Sequence, residues 1–446
     1  MCAPDVAPAS TAQPCGKFAT VVFRTIGHPD TRWYIFDASA TSGGNPEVHA
    51  IDKRRGDSVV SDLSSKKKPV LTESLSSASI GTQPQKKITP VRVWAAVGGL
   101  ILAFQLYVWI RWVTGPHFER VPPGPTDPPT FMKAILFTWT AVIVVGMPIA
   151  IWWFLIRPWR RERRITLDGM LFVSCGLLWF QDPLLNYFNT WSTYNTWMWN
   201  MGSWVQDIPG WVSYGEPGAM MAEPVLMNAP GYFFVLLCTM LGCWVMRLAK
   251  KRFPNINTFG LIGVVIAWTF FFDFVIEGLF LMPMGLFTYP GAIQALSVNA
   301  GTYYQWPLYE GLMWGGVQAG LCCLRYFTDD RGRTFVERGL DQVRGGFVKQ
   351  QLTRFLAIFA ACSAFFFVFY NIPAQFFAMH QDPWPEDILK RSYFLMGICG
   401  EDTDRPCPDP ALPMPLTNSG YINHDGELVF PEGVELPTNV PLERGN

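Results

Sequence analysis

Residues 258–282 read TFGLIGVVIAWTFFFDFVIEGLFLM. This stretch is apolar for about the 20 residues a helix needs to cross ~30 Å of hydrocarbon. It is interrupted only by Asp273 and Glu277, which are spaced i, i+4 and so share one helix face. A carboxylate inside a span is costly, and it faces the bundle interior or a water-filled cavity. The stretch therefore predicts both a membrane protein and a polar centre within it.

Six further runs of the same kind flank this one, at about 91–113, 133–156, 168–189, 229–248, 307–326 and 351–373. The fold class expected is all-α, a polytopic bundle of about seven transmembrane helices in a multi-pass cell-membrane protein. Composition agrees: half of the residues are hydrophobic and 16% are charged, against about 25% charged in soluble domains. The formal net charge is zero, which suggests no nucleic-acid partner. The lipid bilayer is the expected surrounding.

Positive charge alternates between connections. Lys66, Lys67, Lys68, Lys86, Lys87 and Arg92 precede the first run, and RPWRRERR at 157–164 carries five Arg. Arg247, Lys250, Lys251 and Arg252 follow the fourth run, and seven Lys or Arg lie between Arg325 and Arg354. Residues 190–228 and 283–307 contain neither Lys nor Arg. Under the positive-inside bias the N-terminus is cytoplasmic and the C-terminus outside. Residues 1–90, rich in Ser, Pro and Lys, read as a disordered cytoplasmic tail. The membrane domain is expected over 91–380 and an external tail over 381–446. No apolar signal-peptide core follows Met1, and the stretch from Val70 also reads as an ordinary N-terminus.

The polar residues inside the runs fall in three places. The third run carries Gln181, Asp182, Asn186 and Tyr187; the fifth carries Asp273 and Glu277; the sixth begins with Tyr303, Tyr304, Trp306, Tyr309 and Glu310. Asp182 and Asp273 lie roughly 21 Å and 22 Å from the inner ends of their helices at 1.5 Å per residue. Glu310 lies just inside the outer end of its own, so one polar pocket in the outer half of the membrane is expected. Close carboxylates do not all ionise, and such a set supplies a general acid and a general base. Asp273, Glu277, Asp182 and Glu310 are the candidate catalytic residues. A helix-packing network that catalyses nothing is the alternative, and Asp182 in particular precedes Pro183 and could hold a kink there. Asn186, Tyr187, Tyr303, Tyr304, Trp306 and Tyr309 are candidate substrate contacts; taken singly, such residues also serve as packing or interface anchors.

Trp191, Trp197, Trp199, Trp204 and Trp211 crowd the segment between the third and fourth runs. They predict an interfacial loop anchored at the headgroups, or a lid over a hydrophobic site. There is no CxxC, HxxxH, HxxEH, P-loop or GxSxG pattern, so no metal and no cofactor is expected. Six Cys lie within apolar runs as packing residues, whereas Cys399 and Cys407 enclose GEDTDRP on the side expected to be oxidising and predict a short disulfide.

FVSCGLLWFQDPLLNYFNTW at 172–191, the Trp-rich loop after it, FFFDFVIEGLF at 270–280 and YEGLMWGG at 309–316 resemble AveC-like proteins of actinobacteria. The resemblance spans roughly 91–400 and rests on the order and texture of the segments. It implies a spirocyclase, with an associated dehydration, acting on a lipophilic small-molecule substrate such as a polyketide-like hydroxyketone. A transporter or small-molecule-binding membrane protein is the main rival, because polar residues in a bundle also line transport pathways. A retinal protein is disfavoured, since no Lys lies between Gln350 and Met379.

Overall fold

The computed structural model describes residues 89–212, 221–401, 403–412 and 419–430, together with 414, 416 and two strands near the N-terminus. The chain divides into two compact units, Met1–Gln83 and Pro84–Asn446. In the first, β1 (Val21–Phe23) pairs antiparallel with β2 (Tyr34–Phe36). The expectation of a disordered tail otherwise lies outside the described residues.

The second unit is mostly helical. Five helices are long and apolar enough to cross a membrane: α1 (Pro90–Thr114), α2 (Thr130–Glu162), α4 (Asn228–Arg252), α5 (Thr258–Leu281) and α7 (Phe347–Ala378). Two more complete the bundle, α3 (Leu167–Leu177) and α6 (Leu308–Tyr326). These two are enclosed by the others: seven of the eleven residues of α3 are buried, and on α6 most positions from Tyr309 to Leu324 are. A helix sheltered by its neighbours does not need the uniform apolar surface of one facing lipid. This separates α6 from the five, whereas α3, at 11 residues, is too short to cross by itself.

The apolar side chains of the outer helices point away from the protein. Leu100 of α1, Phe137 of α2 and Phe259 of α5 are more than two-thirds exposed, whereas Thr269 and Asp273 of α5 are buried. Polar-in and apolar-out is the pattern of a helix solvated by hydrocarbon. The α1 and α7 backbones approach so closely at Gly98 that a Cβ there would sit 2.0 Å from the Leu356 carbonyl oxygen. Close approach of this kind, made possible by a small residue, is a usual device for joining spans.

The third apolar run does not form one kinked span over 168–189. Thr166 caps α3 by accepting from the Gly169 N–H at 3.2 Å, and the α-helix ends at Leu177. Two 3₁₀ turns follow, Leu178–Gln181 and Pro183–Asn186. Pro183 supplies no N–H to continue the ladder. The freed carbonyls find side-chain donors: Trp204 Nε1 donates to Phe180 O at 3.1 Å, and Gln375 Nε2 donates to Leu184 O and Leu185 O at 2.9 and 3.1 Å. Irregular backbone at membrane depth persists where protein groups satisfy it in this way.

Three of the long helices carry a π-helical turn: Trp152–Ile156 in α2, Phe274–Leu281 in α5 and Phe367–Asn371 in α7. Such turns re-aim side chains, and they recur at functional sites. Glu277 lies in the second and Tyr370 in the third.

Much of the described part of the Trp-rich segment is folded into the protein. Trp204 is fully buried against Trp109, Trp112 and Trp179, and Trp191 is buried among Tyr289, Tyr309 and Tyr370. Trp199 alone among the five is strongly exposed. Strand β3 (Thr193–Tyr194) of this segment pairs with β4 (Phe287–Thr288). A second small ladder joins β5 (Ser297–Val298) to β6 (Trp306–Pro307).

The expected external tail from residue 381 is also folded in part. Two short helices, α8 (Glu386–Leu389) and α9 (Ser392–Leu395), bury Ile388, Tyr393, Phe394 and Leu395 in a core with Val121, Met132, Leu136 and Leu286. Alternating polar residues hide this segment from an apolar-run reading, but its aromatic and aliphatic side chains suffice to hold it down. Cys399 and Cys407 are joined by a disulfide with Cα atoms 4.8 Å apart, at the edge of that core. Beyond it, β7 (Tyr421–Ile422) pairs with β8 (Leu428–Val429).

Candidate active site

Asp273, Glu277 and Glu310 converge from two helices. A carboxylate oxygen from each lies within 4.8 Å of the other two. The α-helix of α5 ends at Asp273, and the π-helical turn then carries Glu277 beside it. Glu310 enters from the first turn of α6, placed by the β6 strand that precedes it. Trp306 of that strand fills the gap between α5 and α6: a Cβ on Gly311 would stand 2.6 Å from its ring. Glycine at 311 leaves the room that the indole occupies against the helix.

Two phenols complete the cluster. Tyr289 donates to Glu277 Oε2 at 3.2 Å, and Tyr370 donates to Glu310 Oε1 at 3.1 Å. The two hydroxyls are 3.4 Å apart, and Trp191 Nε1 donates to Tyr370 Oη at 3.4 Å. Asp273 lies against Glu310, and Trp306 against Glu310 as well; Asp273 Oδ2, Glu310 Oε2 and Trp306 Nε1 have no hydrogen-bond partner outside the cluster. Carboxyl oxygens facing one another in this way are satisfied by a shared proton or by a bound water or ion. No Lys, Arg or His forms an ion pair with the three carboxylates among the described residues. Glu277 is the accessible member, half-buried where Asp273 and Glu310 are closed off.

Asp182 is held in a neighbouring cluster. It accepts from Tyr194 at 2.6 Å, from Tyr232 at 2.5 Å and from Asn228 at 3.3 Å. Glu223 lies against it and accepts from Trp179 Nε1 at 3.2 Å. An aromatic path links the two clusters: the Tyr194 ring meets Phe287 at 6.0 Å, and Phe287 meets Tyr289 at 5.6 Å. The β3–β4 ladder fixes this path by pairing Tyr194 with Phe287. The one pocket expected from sequence depth is thus two adjacent acid centres, one with three carboxylates and one with two.

The remaining candidates divide. Trp306 and Tyr309 border the three-carboxylate cluster; Tyr309 stacks on Phe377 at 3.9 Å and accepts from the Ile293 N–H at 3.0 Å. Asn186 instead secures a turn, its Oδ1 accepting from the N–H groups of Trp191 and Ser192 at 2.6 and 3.0 Å. Tyr187 packs on Trp211, and Tyr303 packs on Phe394 beneath the Arg391 guanidinium, donating to Pro283 O at 2.8 Å. Burial pushes the Tyr303 phenol up while Arg391 opposes it. Tyr304 packs beside Tyr303.

Glu223, Tyr289 and Tyr370 escape sequence reasoning. Glu223 and Tyr289 lie in connections, so a search for polar residues within apolar runs passes over them. Glu223 does carry a signal, since no Lys or Arg in residues 190–228 is available to neutralise it. Among the described residues, Asp273, Glu277 and Glu310 are placed so that they could hold a metal ion, and an all-oxygen donor set suits a hard cation. Two surface cavities, of about 590 and 290 Å³, lie away from both clusters.

The family model for AveC-like spirocyclases matches residues 162–394, just over half of the chain. The chain belongs to the AveC-like spirocyclase family. Both acid clusters fall within the matched region, as do α3 to α7. Membership and the apolar helices are consistent with a membrane cyclase-type enzyme. No curated protein and no solved structure matches the chain.

Proposed function

We propose that the protein is a membrane-embedded spirocyclase that uses carboxylates as acid and base on a lipophilic hydroxyketone. The observation that carries this reading is the convergence of Asp273, Glu277 and Glu310 within 4.8 Å, with Asp273 and Glu310 side by side and no basic group against them among the described residues. Three like charges this close cannot all be carried in a low-dielectric interior, so the cluster retains protons. It therefore holds a donor and an acceptor side by side.

Spiroketal formation needs that pairing. A hydroxyl adds to the ketone to give a hemiketal. A carboxylic acid protonates the hemiketal hydroxyl, and water leaves. The oxocarbenium ion is stabilised by a carboxylate and by the faces of nearby rings, here Trp191 and Trp306. A second hydroxyl attacks the cation, and a carboxylate accepts the proton it releases. One water is lost, and no electrons are exchanged.

Glu277 is assigned as the group that meets the substrate and Asp273 as the buried acid that shares a proton with it, Tyr289 holding Glu277 and Tyr370 holding Glu310. Glu277 adjoins Ile276, Leu279 and Phe280, which are exposed toward hydrocarbon. That position suits a substrate arriving from the bilayer. Asp182 and Glu223 are assigned to a second acid centre beside the first.

The reading includes seven spans, the third made of α3 continued by the two 3₁₀ turns to Asn186 and the sixth of α6, with the N-terminus in and the C-terminus out. Incubation of purified protein with dihydroxyketones of varied chain length tests the function. Spiroketal with loss of one water supports it; unchanged substrate that is bound or transported in proteoliposomes replaces it with a carrier.

A further inference from the structure

We propose that the Arg-rich end of α2 binds the phosphate of an anionic phospholipid. This site does not rest on the catalytic reading. It is a cavity of about 290 Å³ between the end of α2, the start of α3 and Met240 of α4. Trp153, Phe154 and Met240 supply its apolar wall, and Arg157 and Arg161 its polar one. A glycerophospholipid presents the same two chemistries in the same order, apolar acyl chain and then phosphate.

The charge balance favours an anion. Two carboxylates, Glu162 and Asp168, also border the cavity. Both are already neutralised: Glu162 accepts from Arg164 at 2.9 Å, and Asp168 takes two hydrogen bonds from Arg325 at 2.8 and 2.9 Å. Arg157 and Arg161 form no ion pair among the described residues. They stand one helical turn apart, and Arg157 is braced by its guanidinium lying 4.4 Å over the Trp153 ring. Guanidinium groups so placed offer forked N–H donors to phosphate oxygens.

Position supports a lipid rather than a free ion. Trp152, Trp153 and Trp159 are exposed around the site, where α2 passes from apolar residues to RPWRRERR. Trp and Arg at the end of a span mark the headgroup level. Basic pockets between spans are recognised sites for anionic headgroups.

Native mass spectrometry of the full chain, released from detergent with added phosphatidylglycerol, phosphatidylcholine or inorganic phosphate, tests this. Wild type is expected to retain phosphatidylglycerol over phosphatidylcholine. The double variant Arg157→Gln/Arg161→Gln loses two charge-assisted contacts, so its retention falls about tenfold or more. Arg120→Gln, a charge loss elsewhere on the surface, leaves retention unchanged. Gel filtration and thermal unfolding establish that the double variant is folded, and Arg157→Lys/Arg161→Lys, which keeps the charge, retains intermediate binding. Equal retention of the two lipids, displacement by phosphate at matched ionic strength, or undiminished binding in the double variant would each overturn the proposal.

Discussion

Tyr370 donates a 3.1 Å hydrogen bond to Oε1 of Glu310, and it does so from the π-helical turn in α7. The extra residue in that turn brings the phenol to a carboxylate that begins a different helix. Tyr289 does the same for Glu277 from the loop after α5. The two hydroxyls touch at 3.4 Å, so the pair ties α5, α6 and α7 together through their acids.

Tyr370→Phe removes the hydroxyl and keeps the ring. If Tyr370 positions Glu310, turnover falls by about tenfold, the scale of one lost hydrogen bond to a charged group. KM stays near the wild-type value, because the ring contacts with Trp191 and Phe366 persist. Steady-state kinetics with a hydroxyketone substrate would show this. A rise in KM with unchanged kcat would place Tyr370 at substrate binding instead.

The carboxylates of Asp273, Glu277 and Glu310 are also a donor set for a hard cation. The acid–base account predicts that turnover survives exhaustive chelation and dialysis. Activity lost on chelation and restored by Mg²⁺ or Mn²⁺ would transfer the central role from protons to a metal.

The bond between Cys399 and Cys407 closes a loop with a sequence separation of 8. Loop-closure entropy for so short a ring amounts to about 2–3 kcal/mol. Cys399 belongs to the core formed with Ile398, Leu395 and Trp384, so that stability is felt by the folded cap rather than by a free tail. Cys407→Ser is expected to lower the thermal midpoint while the protein still inserts. Intact-mass measurement before and after reduction of native protein should differ by two hydrogens; alkylation of both cysteines without reductant would contradict the bridge.

Orientation follows from the positive charge at the ends of α2 and α4. Reporter fusions after residue 250 and after residue 400 are expected on opposite sides, cytoplasmic and external. Reporters on the same side would remove α6, the enclosed helix between those two positions, from the set of spans.

What the sequence conveyed, and what it withheld, follows from the physics of each region. Asp273 and Glu277 were legible because a carboxylate in an apolar run is costly enough to stand out. Glu310 was legible for the same reason, at the start of an enclosed helix. Glu223 was not, because it reaches the interior from a connection that looks like an interfacial loop. The early end of α3 was hidden as well: its backbone is satisfied by Trp204 and Gln375, residues distant in sequence. No periodicity signals that Trp191 or Ile388 will be buried, since both depend on how irregular segments fold over the bundle.

The most direct test of the account compares Asp273→Asn and Glu277→Gln with Asp182→Asn and Glu223→Gln. Each substitution preserves size and removes proton transfer. Initial rates of spiroketal formation by purified, folded variants are the measurement, with substrate binding assayed alongside. The account predicts that Asp273→Asn or Glu277→Gln lowers the rate by about 10²–10⁴-fold with binding retained, as expected for loss of a general acid or base. The second pair is predicted to have a smaller effect. Rates within about threefold of wild type for both Asp273→Asn and Glu277→Gln, far below the loss expected on removing a general acid or base, would contradict the assignment of catalysis to the three-carboxylate cluster.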